Sequence, residues 1–202
     1  MDNSPFKYNN FFNSACYFEV SLIPVALLLG WISDINPFEK LYFSETAIAY
    51  GVIGTAPLFL MFLALQLLQK DSIVQIRELL LKILGSQLHR YHWTDLLMLS
   101  ILAGVSEELL FRGEIQVWIS SSWGATAGLI GSNLIFGLAH AVTPLYAVLA
   151  ALVGCYLGLS LNFGNDSNLL TPIIIHSLYD FLAFISLMRA YRADLAKSTN
   201  LS

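Results

Sequence analysis

The sequence predicts an all-α fold, a polytopic membrane helix bundle of about six transmembrane helices with one interfacial amphipathic helix. Three observations predict it. Of 202 residues, 56% are hydrophobic and 12% are charged, whereas soluble domains carry about 25% charged residues. Apolar runs of nearly the length needed to cross a bilayer, roughly 20 residues, recur along the chain. No stretch shows the apolar–polar alternation of a membrane barrel strand. A net charge of −4 with no basic cluster argues against a nucleic-acid partner. Cys16 and Cys155 both lie in apolar surroundings without metal or redox spacing, so they read as packing residues. The opening "MDNSPFKYNNFFNSACYF" has no apolar core or small-x-small site, so no cleavable signal peptide is expected.

The first span is expected at 16–33, broken by Pro24 and carrying Glu19, and the second at 47–68. Ile73, Ile76, Leu79, Leu80 and Ile83 then recur at helical spacing opposite charged residues, which predicts an amphipathic helix lying in the interface. His89 and His92 beside it read as solvated interface residues. Four further spans are expected at 94–119, 125–142, 144–162 and 169–188. Gly124, Gly128 and Gly131 suggest close helix approach. The chain thus divides into an N-terminal part (1–93: two spans and the interfacial helix), a four-helix core (94–188) and a C-terminal tail (189–202). Of ten basic residues, eight (Lys7, Lys70, Arg77, Lys82, Arg90, Arg189, Arg192 and Lys197) fall on one side of this topology. Lys40 falls on the other side, and Arg112 lies inside a span. That bias predicts both termini on the cytoplasmic (or stromal-type) face of a multi-pass protein.

The segment "SEELLFRGE" places Glu107, Glu108 and Arg112 inside the third span. Each ionised side chain at mid-bilayer costs about 2.5–3.5 kcal/mol on insertion scales. Glu108 and Arg112 are four residues apart and can meet on one helix face as a structural ion pair. Glu107 points about 100° away and needs another partner or a function. His140 ends the fourth span, and His176 and Asp180 stand four apart in the sixth. Glu107 lies 16 residues before Trp123 and His140 lies 17 after it, so a hairpin turning there brings the two level. His176 falls only seven or eight residues into its span and looks too shallow. Either that helix begins earlier and is tilted, or the hairpin is pushed outward. Asn133 shares a helix face with His140 and either hydrogen-bonds within the site or packs a helix pair. Phe136, one turn before His140, is expected to pack against its ring.

"EELLFR", "FGLAH" and "HSLYD", each inside an apolar span and in this order, resemble the motifs EExxxR, FxxxH and HxxxN/D. These mark the CAAX protease and bacteriocin-processing (CPBP, or Abi) family of intramembrane proteases, which includes the type II CAAX prenyl endopeptidases. The resemblance covers about 94–188. It implies an endopeptidase in which Glu107 activates water, His140 helps to hold that water, and His176 with residue 180 stabilises the oxyanion. Glu108 and Arg112 would remain the structural pair. The best-studied members carry Asn at the position of Asp180. An ionised Asp cannot donate to an oxyanion, so Asp180 must be protonated or instead orient His176. No cofactor is implied; the alternative is Zn²⁺ held by Glu107, His140, His176 and Asp180. The implied partners are the lipid bilayer and a membrane-anchored protein or peptide substrate, and a homo- or hetero-oligomer is left open. Two other function classes compete. One is a non-catalytic membrane scaffold or immunity factor. The other is a proton-coupled carrier, disfavoured because no inverted repeat or pair of broken helices is present.

Overall fold

Helix α1 (Phe6–Ser33) opens the computed structural model, which describes the backbone of residues 6–199 and the side chains of 11–198. Lys7, part of the charge-bias argument, lies outside the described side chains. Then follow α2 (Glu45–Leu67), α3 (Asp71–Leu80), a π-helical turn (Leu81–Gly85) and the short α4 (Ser86–Leu88). Helix α5 (Trp93–Glu108) runs through a second π-helical stretch (Leu109–Ile115) into α6 (Gln116–Trp123). Helices α7 (Ala125–Ala139), α8 (Pro144–Ser160) and α9 (Leu170–Thr199) complete the bundle. Among the described residues there is no strand, so the fold is the expected all-α membrane-type bundle.

All six expected spans are helical, but they differ in length. Phe11–Ser33, Glu45–Leu67 and Leu170–Ser198 are long and apolar enough to cross a membrane. Helices α7 and α8 are equally apolar but have only 15 and 17 residues, roughly 23 and 26 Å at 1.5 Å per residue. Residues 189–199, expected as a tail, continue α9, because the sequence there contains no Gly or Pro to stop a helix.

Local chemistry sets the ends of several elements. Ser44 caps α2 by accepting from Ala47 N at 3.3 Å. Thr143 caps α8, accepting from Tyr146 N at 3.1 Å, with Pro144 in the first turn. His92 has a definite task beyond solvation. It caps α5, while Asp95 accepts from the backbone N–H of His92 at 3.0 Å, closing a capping box. His89 stacks on Tyr191 with ring centroids 4.8 Å apart.

Helix α9 is central, packing against α2, α5, α8 and the α3–α4 segment. Close approach comes from glycines. A Cβ at Gly51 would lie 2.6 Å from Ile174, one at Gly54 2.8 Å from Ile175, and one at Gly104 would collide with Ser177. Two of the three glycines expected at a helix contact serve there. Gly128 packs against Gln116 and Ser120, and Gly131 against Ile119. Gly124 does not; nothing lies near it, and its φ of +84° instead makes the α6–α7 turn.

The interfacial segment also departs from simple periodicity. Ile73, Ile76 and Leu80 face inward, but the π turn inserts extra residues into the repeat. Leu84 therefore takes the inward position expected for Ile83, which is 46% exposed.

The depth of His176 is resolved by the outer loops. Leu169 N donates to Lys40 O at 2.8 Å and Asn168 Nδ2 to Tyr42 O at 3.0 Å, which joins loops 34–44 and 161–169. Leu161, Leu169 and Ile173 pack on Leu109, and Pro37 packs against Gly113. Helix α9 therefore begins level with the π stretch, halfway along α5–α6. The α6–α7 hairpin packs on itself, on that stretch and, through α7, on α8. Helix α9 begins no earlier than expected, and six residues into it is deep enough to place His176 beside Glu108.

Candidate active site

The π stretch Leu109–Ile115 starts directly after Glu108 and carries Arg112 and Glu114. Its wider turn lets three charged groups of one helix face different neighbours, as π-bulges often do at functional sites. Arg112 is fully buried. Its Nη1 donates to Glu108 Oε1 at 2.9 Å, and its Nη2 donates to Asn133 Oδ1 at 3.0 Å and to Gly154 O at 2.9 Å. The expected Glu108–Arg112 pair is therefore present. Of the two readings of Asn133, the contact is to the ion pair: Asn133 joins α7 to Arg112 and anchors its own Nδ2 on Leu129 O at 2.7 Å. Three donated hydrogen bonds and the charge of Glu108 offset the cost of burying the guanidinium.

Glu108 does more than neutralise Arg112. The same Oε1 lies 2.8 Å from His176 Nδ1. A carboxylate paired to arginine only accepts, so Nδ1 of His176 carries the hydrogen and Nε2 points the other way. There it lies 3.5 Å from Asp180 Oδ2 and 3.9 Å from Glu107 Oε2. His140, at the C-cap of α7, is fixed likewise. Its Nδ1 is 2.9 Å from Phe136 O, its ring stacks on Phe136 at 4.3 Å, and its Nε2 lies 3.7 Å from Glu107 Oε2. Phe136 also contacts the Arg112 guanidinium, 4.7 Å from its ring centroid. The four residues Glu107, His140, His176 and Asp180 are thus brought together from three helices, with Phe136 packed as expected.

Glu107 is 7% exposed, and its Oε2 has no hydrogen-bond partner. It lines a cavity of about 400 Å³ that extends from the two histidines to the inward face of α3. Most of the lining is apolar. Its polar members beyond the expected set are Glu19, Gln66, Arg77, Tyr146 and Tyr179. Glu19 accepts a hydrogen bond from Ser106 Oγ at 3.1 Å, next in sequence to Glu107. Its presence in an apolar span was a visible signal, whereas its direction was not. Tyr146 follows His140 by six residues, and only the Thr143–Pro144 start of α8 hints at its placement. Among the described residues, no group of three or more His, Cys, Asp or Glu is arranged to hold a metal ion.

Residues 89–182 match a protein-family model, Rce1-like, described as Type II CAAX prenyl endopeptidase Rce1-like. No curated protein and no solved structure matches the chain. The matched stretch contains the three motifs and the polar residues of the cavity except Glu19, Gln66 and Arg77. The resemblance carried by those motifs is therefore shown, and over residues 89–182 the chain is similar to the type II CAAX prenyl endopeptidases, a family of proteases.

Proposed function

We propose that the protein is an intramembrane endopeptidase that hydrolyses a peptide bond of a membrane-associated protein with water activated by Glu107. The observation that carries this reading is the convergence of Glu107 Oε2, His140 Nε2 and His176 Nε2, with separations of 3.7 and 3.9 Å, at one end of a cavity. In the neutral ring of His140, Nδ1–H donates to Phe136 O, so Nε2 accepts one hydrogen of a water. Glu107 takes the other proton as the water oxygen attacks the scissile carbonyl. The tetrahedral intermediate collapses as Glu107 returns that proton to the leaving nitrogen, and the C–N bond breaks. His176, held by Glu108, faces the same volume with Asp180 beside it.

The metal-free form of this chemistry is the one proposed. Glu107 Oε2 with His140 Nε2 and His176 Nε2 at 3.7 and 3.9 Å can hold and activate a water without an ion. The basic residues at the inner ends of the helices support both termini on the cytoplasmic (or stromal-type) side, with the cavity opening towards that side.

The test compares membrane-protein termini by mass spectrometry in cells expressing the wild type or Glu107→Gln at matched levels. A terminus that appears only with the wild type is expected, and purified wild type should still cleave that substrate in EDTA or 1,10-phenanthroline. If no terminus differs and Glu107→Gln rescues a deletion phenotype, the protein acts as a scaffold.

A further inference from the structure

Resting on that reading, we infer that the phenol of Tyr146 donates the hydrogen bond that stabilises the oxyanion of the tetrahedral intermediate. Peptide hydrolysis places a full negative charge on the former carbonyl oxygen, and a preorganised donor aimed at that oxygen is commonly the largest single catalytic contribution. The two residues nearest to hand donate only in one protonation state. His176 already has its Nδ1 hydrogen committed to Glu108 Oε1 at 2.8 Å, so its Nε2 donates only as an imidazolium. Asp180 is a carboxylate, and when ionised it only accepts. The site therefore lacks a donor that works in every protonation state.

Tyr146 supplies one. It lies in the first turn of α8, six residues after His140, and its ring lines the same cavity as Glu107, His140, His176 and Asp180. Its backbone position is set independently of any ligand, since Thr143 Oγ1 accepts from Tyr146 N and Pro144 fixes the turn. A phenol has two side-chain torsions, and with the main chain capped little entropy is lost in aiming it. The second tyrosine on the cavity, Tyr179, is committed to α2, where its ring meets Phe62 edge-on at 6.4 Å. Asp180, 3.5 Å from His176 Nε2, accepts from that ring only when it is an imidazolium, and Tyr146 on α8 supplies the donor that a carboxylate cannot.

The test uses the purified full-length chain in nanodiscs. One probe is a peptide that spans the cleavage site identified by the terminus comparison. The other is its phosphonate analogue, whose anionic oxygens imitate the tetrahedral intermediate. Tyr146→Phe should lower kcat about 10²–10³-fold with KM within about twofold, and weaken the phosphonate by a similar factor. The parent peptide and the thermal midpoint should be unaffected. Adding Asp180→Asn to Tyr146→Phe should restore at least about a tenfold gain in kcat, because the amide N–H can then donate. The inference is overturned if active wild type and Tyr146→Phe share the same kcat and phosphonate affinity, or if only KM changes. If the wild type neither cleaves the peptide nor binds the phosphonate more tightly than the peptide, the protease reading fails and the inference fails with it.

Discussion

Glu108 Oε1 is shared: Arg112 Nη1 approaches it at 2.9 Å and His176 Nδ1 at 2.8 Å. The ion pair that neutralises the middle of the bundle is therefore also the support of a histidine at the site. Glu108→Gln should both destabilise and inactivate. It strands a fully buried guanidinium, at about 3–5 kcal/mol, and it frees His176 to rotate. Thermal unfolding in detergent should show a lower midpoint, and proteolysis should fall even in the fraction that remains folded. A variant with normal stability and activity would refute this coupling.

Glu107→Gln should behave in the opposite way. Glu107 Oε2 makes no hydrogen bond in its buried position and meets the two histidines only at 3.7 and 3.9 Å, so a neutral amide of the same shape removes a desolvation cost and breaks no hydrogen bond of that oxygen. The thermal midpoint should stay equal or rise while cleavage disappears. A fall in stability comparable to that of Glu108→Gln would mean that Glu107 is a structural carboxylate.

Gly154→Ala should damage the site from a distance. An added Cβ would collide with Asn133 Oδ1 and come within 3.1 Å of Arg112 Nη2, whose hydrogen bonds tie α7 and α8 to the buried cation. Overpacking at such a contact costs about 1–3 kcal/mol. The expected signature is a lower thermal midpoint together with reduced kcat, whereas Gly124→Asn at the open turn should leave activity intact.

Glu114 offers a fourth test. It is fully buried, and its Oε1 accepts from Ser33 Oγ at 2.7 Å, pinning the end of α1 to the π stretch. Ser33→Ala should cost about 1 kcal/mol, the net worth of one hydrogen bond, with more lost if the carboxylate is left unsatisfied. Differential scanning of the purified protein would measure it; limited proteolysis should show earlier release of α1. No change in either measurement would mean that apolar packing alone seats that helix.

The sequence revealed the helices, because apolar runs and helical spacing act locally. It also revealed Glu107, His140, His176 and Asp180, because ionisable side chains in apolar spans are conspicuous when each must find a partner inside the bundle. What it hid were relationships set by register. The π turns cannot be seen as periodicity, so Ile83 was expected inward where Leu84 lies. The inward fold of loops 34–44 and 161–169 depends on pairings such as Leu169 N to Lys40 O, more than a hundred residues apart. The bond from His176 to Glu108 follows from that depth. Glu108 had a sufficient partner in Arg112, and nothing in the sequence announced a second.

Helix α1 lies outside the matched stretch, yet Phe11, Ala15 and Glu19, each four residues apart, form one wall of the cavity. Only 11% of its apolar window is buried inside the bundle. Under the proposed function, the groups that act on water and this wall of the cavity are therefore carried by different parts of the chain. On that reading, changes at Phe11 and Ala15 should alter which substrates are admitted while the groups that act on water stay in place, and exchanging α1 between relatives should shift cleavage preference.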